Sequence, residues 1–320
     1  MPRRTVEQTL ADLHALRSEP ASAEVRSKLT EALASRTNLI VAKAADVIRH
    51  LGLTDLAPHL FPAFGRFINN PGSDKGCVAM TAIAKALYEL GHDAPGLFLR
   101  GIRHVQIEGY GGSDAATDLR GLCALGLVRI GYRDMMPELI NLLVDKQPQA
   151  RSAACRALAY TGRDDAALLL RLKILTGDKD VDVMAEAFTA LVRLAPDASL
   201  PLLERFLDHA DEDLRNAAAL AIGESRRPAA FELLQKRYDQ AVNADERRTL
   251  LLAISLLRLP QSLEFLISLI SSTAPASTIP VVLDILKTYG HDNALRSRLR
   301  AALTTRNDLS LLRLFESTFT

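Results

Sequence analysis

The side chains able to do chemistry in this chain are few and dispersed. The seven histidines, His14, His50, His59, His92, His104, His209 and His291, form neither an H-E-x-x-H motif nor a His-x-x-x-His pair, the spacings that set two imidazoles on one helix face around a metal. Cys77, Cys123 and Cys155 lie outside any C-x-x-C pair, so no disulfide framework or zinc ribbon is expected. Their small apolar neighbours, as in GLCALGL and SAACRAL, mark them as core residues of a reducing compartment. No G-x-S-x-G nucleophile turn occurs, and Gly109-Tyr110-Gly111-Gly112-Ser113 lacks the G-K-[ST] ending of a phosphate loop. Neither a catalytic residue, a metal nor a cofactor is expected.

One segment does concentrate polar groups. RHVQIEGYGGSD, residues 103–114, carries three glycines around Tyr110, too many for a comfortable helix. If extended, it places His104, Gln106, Glu108 and Tyr110 on one side, alternating with Val105, Ile107 and Gly109. If helical, it brings His104 and Glu108 together at i, i+4. With Arg100 and Arg103 beside it, this strip is the candidate binding surface. The competing reading is a structural spacer with Tyr110 packed as an apolar plug. A second irregular stretch, NNPGSDKG at 69–76, reads as a turn-rich connection.

These segments interrupt a repeat. Apolar helical stretches end in turns near Gly52, Gly91, Gly131, Gly162, Ala195, Arg226, Arg258 and Gly290, spaced 39, 40, 31, 33, 31, 32 and 32 residues apart. Each interval has room for two helices of three to four turns and two short connections. In the clearest unit, DEDLRNAAALAIGESRRPAAFELLQKRYDQA at 211–241, Leu214, Ala217, Ala218 and Ala221 form an apolar stripe of small residues, which lets neighbouring helices approach closely. Asp213 is the expected N-cap of its first helix, and Pro228 opens the second. Thr5-x-x-Gln8 predicts a capping box on a helix reaching about Ser18, followed by a second helix over 22–34.

The pattern Asp-x-x-x-Arg-x-Ala-Ala-x-x-Ala-Leu-Gly followed by an apolar second helix resembles the HEAT repeat family. It appears as DEDLRNAAALAIGE and PQARSAACRALAYTG, and more loosely as DKDVDVMAEAFTALVRL and ATDLRGLCALGLVRIG. The family's arginine falls on Arg120, Arg151, Arg215 and Arg247, and is missing from the 181–212 unit. The resemblance implies an all-α, right-handed solenoid of about eight helix pairs whose second helices line a concave groove. The expected organisation is an N-terminal helical cap at 1–37, repeats over 38–307, and a C-terminal cap at 308–320.

Composition narrows the function. With 39 basic and 38 acidic residues the net charge is +1, so no global field draws nucleic acid or an anionic membrane. The N-terminus is not a secretory signal and no apolar run spans a bilayer, so a cytoplasmic protein is expected. Deoxyhypusine hydroxylase is a HEAT-like metalloenzyme with repeated His-Glu motifs, and this chain contains no His-Glu dipeptide. Some alkylpurine DNA glycosylases use HEAT-like helices with a basic groove. Arg171, Lys173, Arg205, Lys236, Arg237, Arg296, Arg298 and Arg300 offer such a stripe, but 261–272 interrupts it and there is no Trp to stack on a base. The phycobilin lyases are a third HEAT-like family, and Phe61, Phe64 and Phe67 at helical spacing read as core in preference to a bilin site. The sequence therefore favours a non-catalytic scaffold with a protein partner, nucleic acid being disfavoured and a lyase-type maturation factor the further alternative.

Overall fold

In the computed structural model, which describes residues 5–271, 275, 277–287, 292–306 and 308–319, the chain divides into two compact units, Met1–Leu169 and Leu170–Thr320. The turn placed at Gly290, with its neighbour His291, lies outside the described residues.

The first unit holds α1 (Val6–Ala15), α2 (Ala23–Leu33), α3 (Asn38–His50), α4 (Ala57–Asn69), α5 (Val78–Glu89) and α6 (Pro95–Ile102). A two-stranded hairpin follows, β1 (Ile107–Glu108) and β2 (Ser113–Asp114), then α7 (Thr117–Arg129), α8 (Met135–Leu143), α9 (Pro148–Tyr160) and the start of α10 (Asp164–Thr176). Thr5 and Gln8 form the expected capping box. The first helices α3, α5, α7 and α9 stack one on the next, and each second helix packs beside them. The second unit repeats the arrangement with α11 (Val181–Leu194), α12 (Pro196–Glu204), α13 (Glu212–Glu224), α14 (Pro228–Gln240), α15 (Ala244–Leu256), α16 (Pro260–Ser271), α17 (Thr278–Leu286), α18 (Asn293–Arg306) and α19 (Leu309–Thr318). Here α11, α13, α15, α17 and α19 form the stack.

The turns explain the spacing. Gly52, Gly91 and Gly131 each adopt a left-handed backbone. In each case the next residue's N–H reaches back to the third-last helical carbonyl (Leu53 to Ile48, His92 to Leu87, Tyr132 to Leu127), which closes a Schellman cap. Arg226 and Arg258 hold the same left-handed position after α13 and α15, at φ 53° and 55°. An L-residue with a Cβ is strained there by roughly 1–2 kcal/mol. Arg226→Gly and Arg258→Gly are therefore each expected to stabilise the protein by about 1 kcal/mol, read as a higher thermal midpoint.

The family's arginine has a repeated structural task. Arg151 donates to the carbonyls of Asp145 and Lys146, Arg215 to those of His209 and Ala210, and Arg247 to that of Ala241. Each tethers its own helix to the connection before it. Before the 181–212 unit, which lacks that arginine, Lys173 of α10 forms an ion pair with Asp178 of the connection at 2.6 Å. One expected cap shifts. Asp211, not Asp213, caps α13, because its carboxylate accepts the N–H groups of residues 213 and 214 from the position just outside the helix. His92, in the turn before α6, leans on Phe61 with ring centroids 5.6 Å apart.

Candidate functional site

The two irregular segments pack on each other. The 69–76 stretch folds into two short 3-10 turns, Pro71–Ser73 and Lys75–Cys77, with Gly76 and Cys77 both left-handed. The 103–114 stretch is a hairpin in which Ile107 pairs with Asp114 and Glu108 with Ser113. The extended reading therefore holds from His104 to Glu108, and Tyr110, at the hairpin turn, departs from the alternation. Of the side placed in the binding surface, His104, Gln106 and Glu108 turn toward the protein, while Tyr110 stays outside. Gln106 is only 6% exposed. Its Oε1 accepts from the Cys77 thiol at 3.2 Å and from His104 Nε2 at 3.1 Å. Its Nε2, with two N–H donors, is surrounded by three acceptors, the carbonyls of Pro71 (3.3 Å) and Asp74 (2.9 Å) and the Glu108 carboxylate. With oxygens around one end of the amide and donors around the other, only one flip satisfies the site, and it requires a proton on His104 Nε2. Both Glu108 oxygens accept the Gly76 N–H at 3.0 Å.

Beneath the hairpin lies a charged core. Arg120 Nη1 is 2.7 Å from Asp114 and donates to the His104 carbonyl at 2.9 Å, while Nε and Nη2 approach Asp145 at 3.1 and 3.2 Å. Asp74, fully buried, accepts Asn38 Nδ2 and the N–H groups of Ala79 and Met80 at 2.9 to 3.0 Å. Burial and the carboxylates of Asp74 and Glu108 push the Cys77 thiol up to about 12, so it is a packed hydrogen-bond donor and no nucleophile. Cys123 is likewise raised by burial, and all three cysteines are buried.

Burial alone would raise the Asp114 carboxyl. The Ala116 and Gln106 amides and the Arg120 guanidinium outweigh it and hold the group below its usual range. A depressed folded value gives stability that is present above the unfolded pKa of about 4 and is lost as pH falls through the folded one. Urea midpoints measured from neutral to acidic pH are expected to fall below about pH 4, with a shallower fall in Asp114→Asn.

The outward side is apolar. Val105 and Ile107 are 58% and 61% exposed, and the Tyr110 ring stands clear of the protein. The packed-plug reading of Tyr110 is therefore overturned. Of the other residues placed in the binding surface, Arg100 donates to Asn69 and Arg103 forms a bidentate pair with the buried Glu138 while remaining largely exposed. His104, Gln106 and Glu108 serve the fold. Sequence reasoning missed the exposed pair Val105 and Ile107, although the strict alternation with Gln106 carried the signal.

The other candidate surface, the basic stripe, is neutralised in part. Arg237 pairs with Glu246 and Asp208, Arg298 with Glu264, and Arg300 with Glu316, while Arg296 donates to the Phe319 carbonyl. Phe64 and Phe67 are buried, as core residues should be. Among the described residues no group of three or more His, Cys, Asp or Glu side chains is placed to hold a metal, and no helix is long and apolar enough to cross a membrane.

Helix pairs stacked first helix on first helix, closed by a recurring left-handed turn and an arginine tether, define a helical-repeat protein. Residues 168–255 match the family model of HEAT repeats, and the chain carries HEAT repeats there. Among curated proteins no sequence matches. Among solved structures the chain is similar to the complex of CpcE and CpcF of phycocyanin lyase from Nostoc sp. PCC7120, at 19% identity and a TM-score of 0.37, over 94% of this chain and 98% of that one. It is similar to a homology model of the full-length AP-3 complex at 11% identity and a TM-score of 0.49, over 98% and 72%. Human deoxyhypusine hydroxylase matches at 18% identity and a TM-score of 0.33, over 81% and 92%. At these values the likenesses carry no argument about activity.

Proposed function

We propose that the chain is a non-catalytic scaffold that binds a protein partner, with the outer face of the 103–114 hairpin as a contact surface. The observation that supports this reading is the inverted alternation. His104, Gln106 and Glu108 are turned inward and bonded, while Val105, Ile107 and Tyr110 stand exposed to water. Exposed apolar side chains gain by burial against a partner, and an exposed tyrosine is a common anchor at protein interfaces. Arg103 at its flank adds a polar rim.

The triple variant Val105→Ser, Ile107→Ser, Tyr110→Ser is expected to keep its thermal midpoint, because exposed substitutions change stability by about 0.5 kcal/mol or less. Affinity capture from native lysate, quantified against wild type, is expected to lose specific partners. An unchanged set of captured proteins from the folded variant would overturn the proposal.

A further inference from the structure

The second unit contains a strained feature that the fold does not explain. Arg226 and Arg258 occupy the left-handed turn position that glycine fills after α3, α5, α7 and α9. Among the described residues neither guanidinium has a hydrogen-bond or ion-pair partner. Strain retained at a position that gains no internal contact points to use of the side chain by something outside the chain.

Both arginines line one groove of about 580 Å³, together with Arg193, Glu224, Val192 and Leu256. Arg226 and Arg258 against the single carboxylate of Glu224 leave the groove positive. Arg258 also borders an adjoining groove of about 300 Å³, where Leu263 supplies an apolar wall and Arg298 is paired with Glu264. Ser262 lines this second groove. It is 2% exposed, yet its hydroxyl has no hydrogen-bond partner, an unusual state for a buried polar group.

We infer that these adjoining grooves bind an acidic, extended peptide segment of a partner protein. A lone phosphate is held by donors that converge on one point. Arg226 and Arg258 instead stand on successive turns, 32 residues apart in sequence, with Val192 and Leu256 also lining the groove. That pattern suits carboxylates spaced along a chain with apolar residues in between. No aromatic side chain lines either groove, so nothing there would stack on a base. The unpaired Ser262 hydroxyl is free to donate to a peptide carbonyl. The inference rests on the protein-binding reading for the kind of partner, but it uses a surface separate from the hairpin.

The test uses the full chain and fluorescence anisotropy at low salt. The probes are a labelled peptide of alternating glutamate and leucine, the same peptide with glutamine for glutamate, and a labelled single-stranded oligonucleotide. The double variant Arg226→Gly, Arg258→Gly removes both charges while relieving the backbone strain, so weak binding cannot be ascribed to unfolding. Asparagine, which also tolerates the left-handed region, gives a second pair of variants. The glutamate peptide is expected to bind saturably, and both double variants to weaken it by about tenfold while the glycine pair melts higher. Three results would each overturn the inference: binding unchanged in the variants, no preference for glutamate over glutamine, or tighter binding of the oligonucleotide. In any of these cases the hairpin variant would still show whether the protein-binding reading stands.

Discussion

Replacing Arg120 with alanine is expected to cost about 3–5 kcal/mol of folding stability, the range for breaking a buried ion pair from one side. Arg120 and Asp114 are 2% and 4% exposed at their side chains, and Asp145 is 17% exposed. Truncation leaves Asp114 charged and dry and removes the donor to the His104 carbonyl. The damage should reach the hairpin, because that carbonyl and the Asp114 carboxylate anchor both of its ends. Arg120→Lys keeps the charge but loses the fork that reaches two carboxylates and a carbonyl at once, so an intermediate loss is expected. Urea unfolding of wild type, Arg120→Ala and Arg120→Ala with Asp114→Asn checks this. The second substitution removes the stranded charge and should recover part of the loss. Equal stability of the single and double variants would contradict the account.

Gly223→Ala is the second large effect. A Cβ at Gly223 would sit 2.3 Å from the backbone oxygen of Ala253, where α13 crosses α15. The obstacle is a helical carbonyl, not the end of a flexible side chain, so two stacked helices must separate. Overpacking of this kind costs about 1–3 kcal/mol, and the upper end is expected here. Thermal unfolding should show a clear drop in the midpoint. Gly52→Ala is an instructive companion, because its Cβ meets nothing and its cost would come only from the left-handed backbone.

Much of the architecture was legible because local chemistry sets it. A left-handed residue ends most of the first helices (α11, whose C-cap is Ala195, is an exception) and proline opens several of the second ones, as at Pro228 and Pro260, so the period of the repeat can be read directly. Where two residues were equally able to cap, as with Asp211 and Asp213, sequence could not fix the register. The hairpin shows a different limit. Alternation from His104 to Glu108 was visible, but which side faces inward depends on the 69–77 segment. Its carbonyls and the Gly76 N–H need polar partners, and Gln106 and Glu108 provide them. That demand comes from residues about thirty positions away and leaves no trace within the strip itself. The arginines at 226 and 258 were legible as turn positions, but their backbone strain and open guanidinium groups were not.

The central claim is that the apolar outer face of the hairpin touches a protein. A photoreactive phenylalanine analogue placed at position 110 tests it most directly, with the same analogue at Val242, another strongly exposed apolar site, as the comparison. Irradiation in native lysate is expected to give discrete protein adducts from position 110 and only weak background from position 242. Indistinguishable background from both positions would contradict the account.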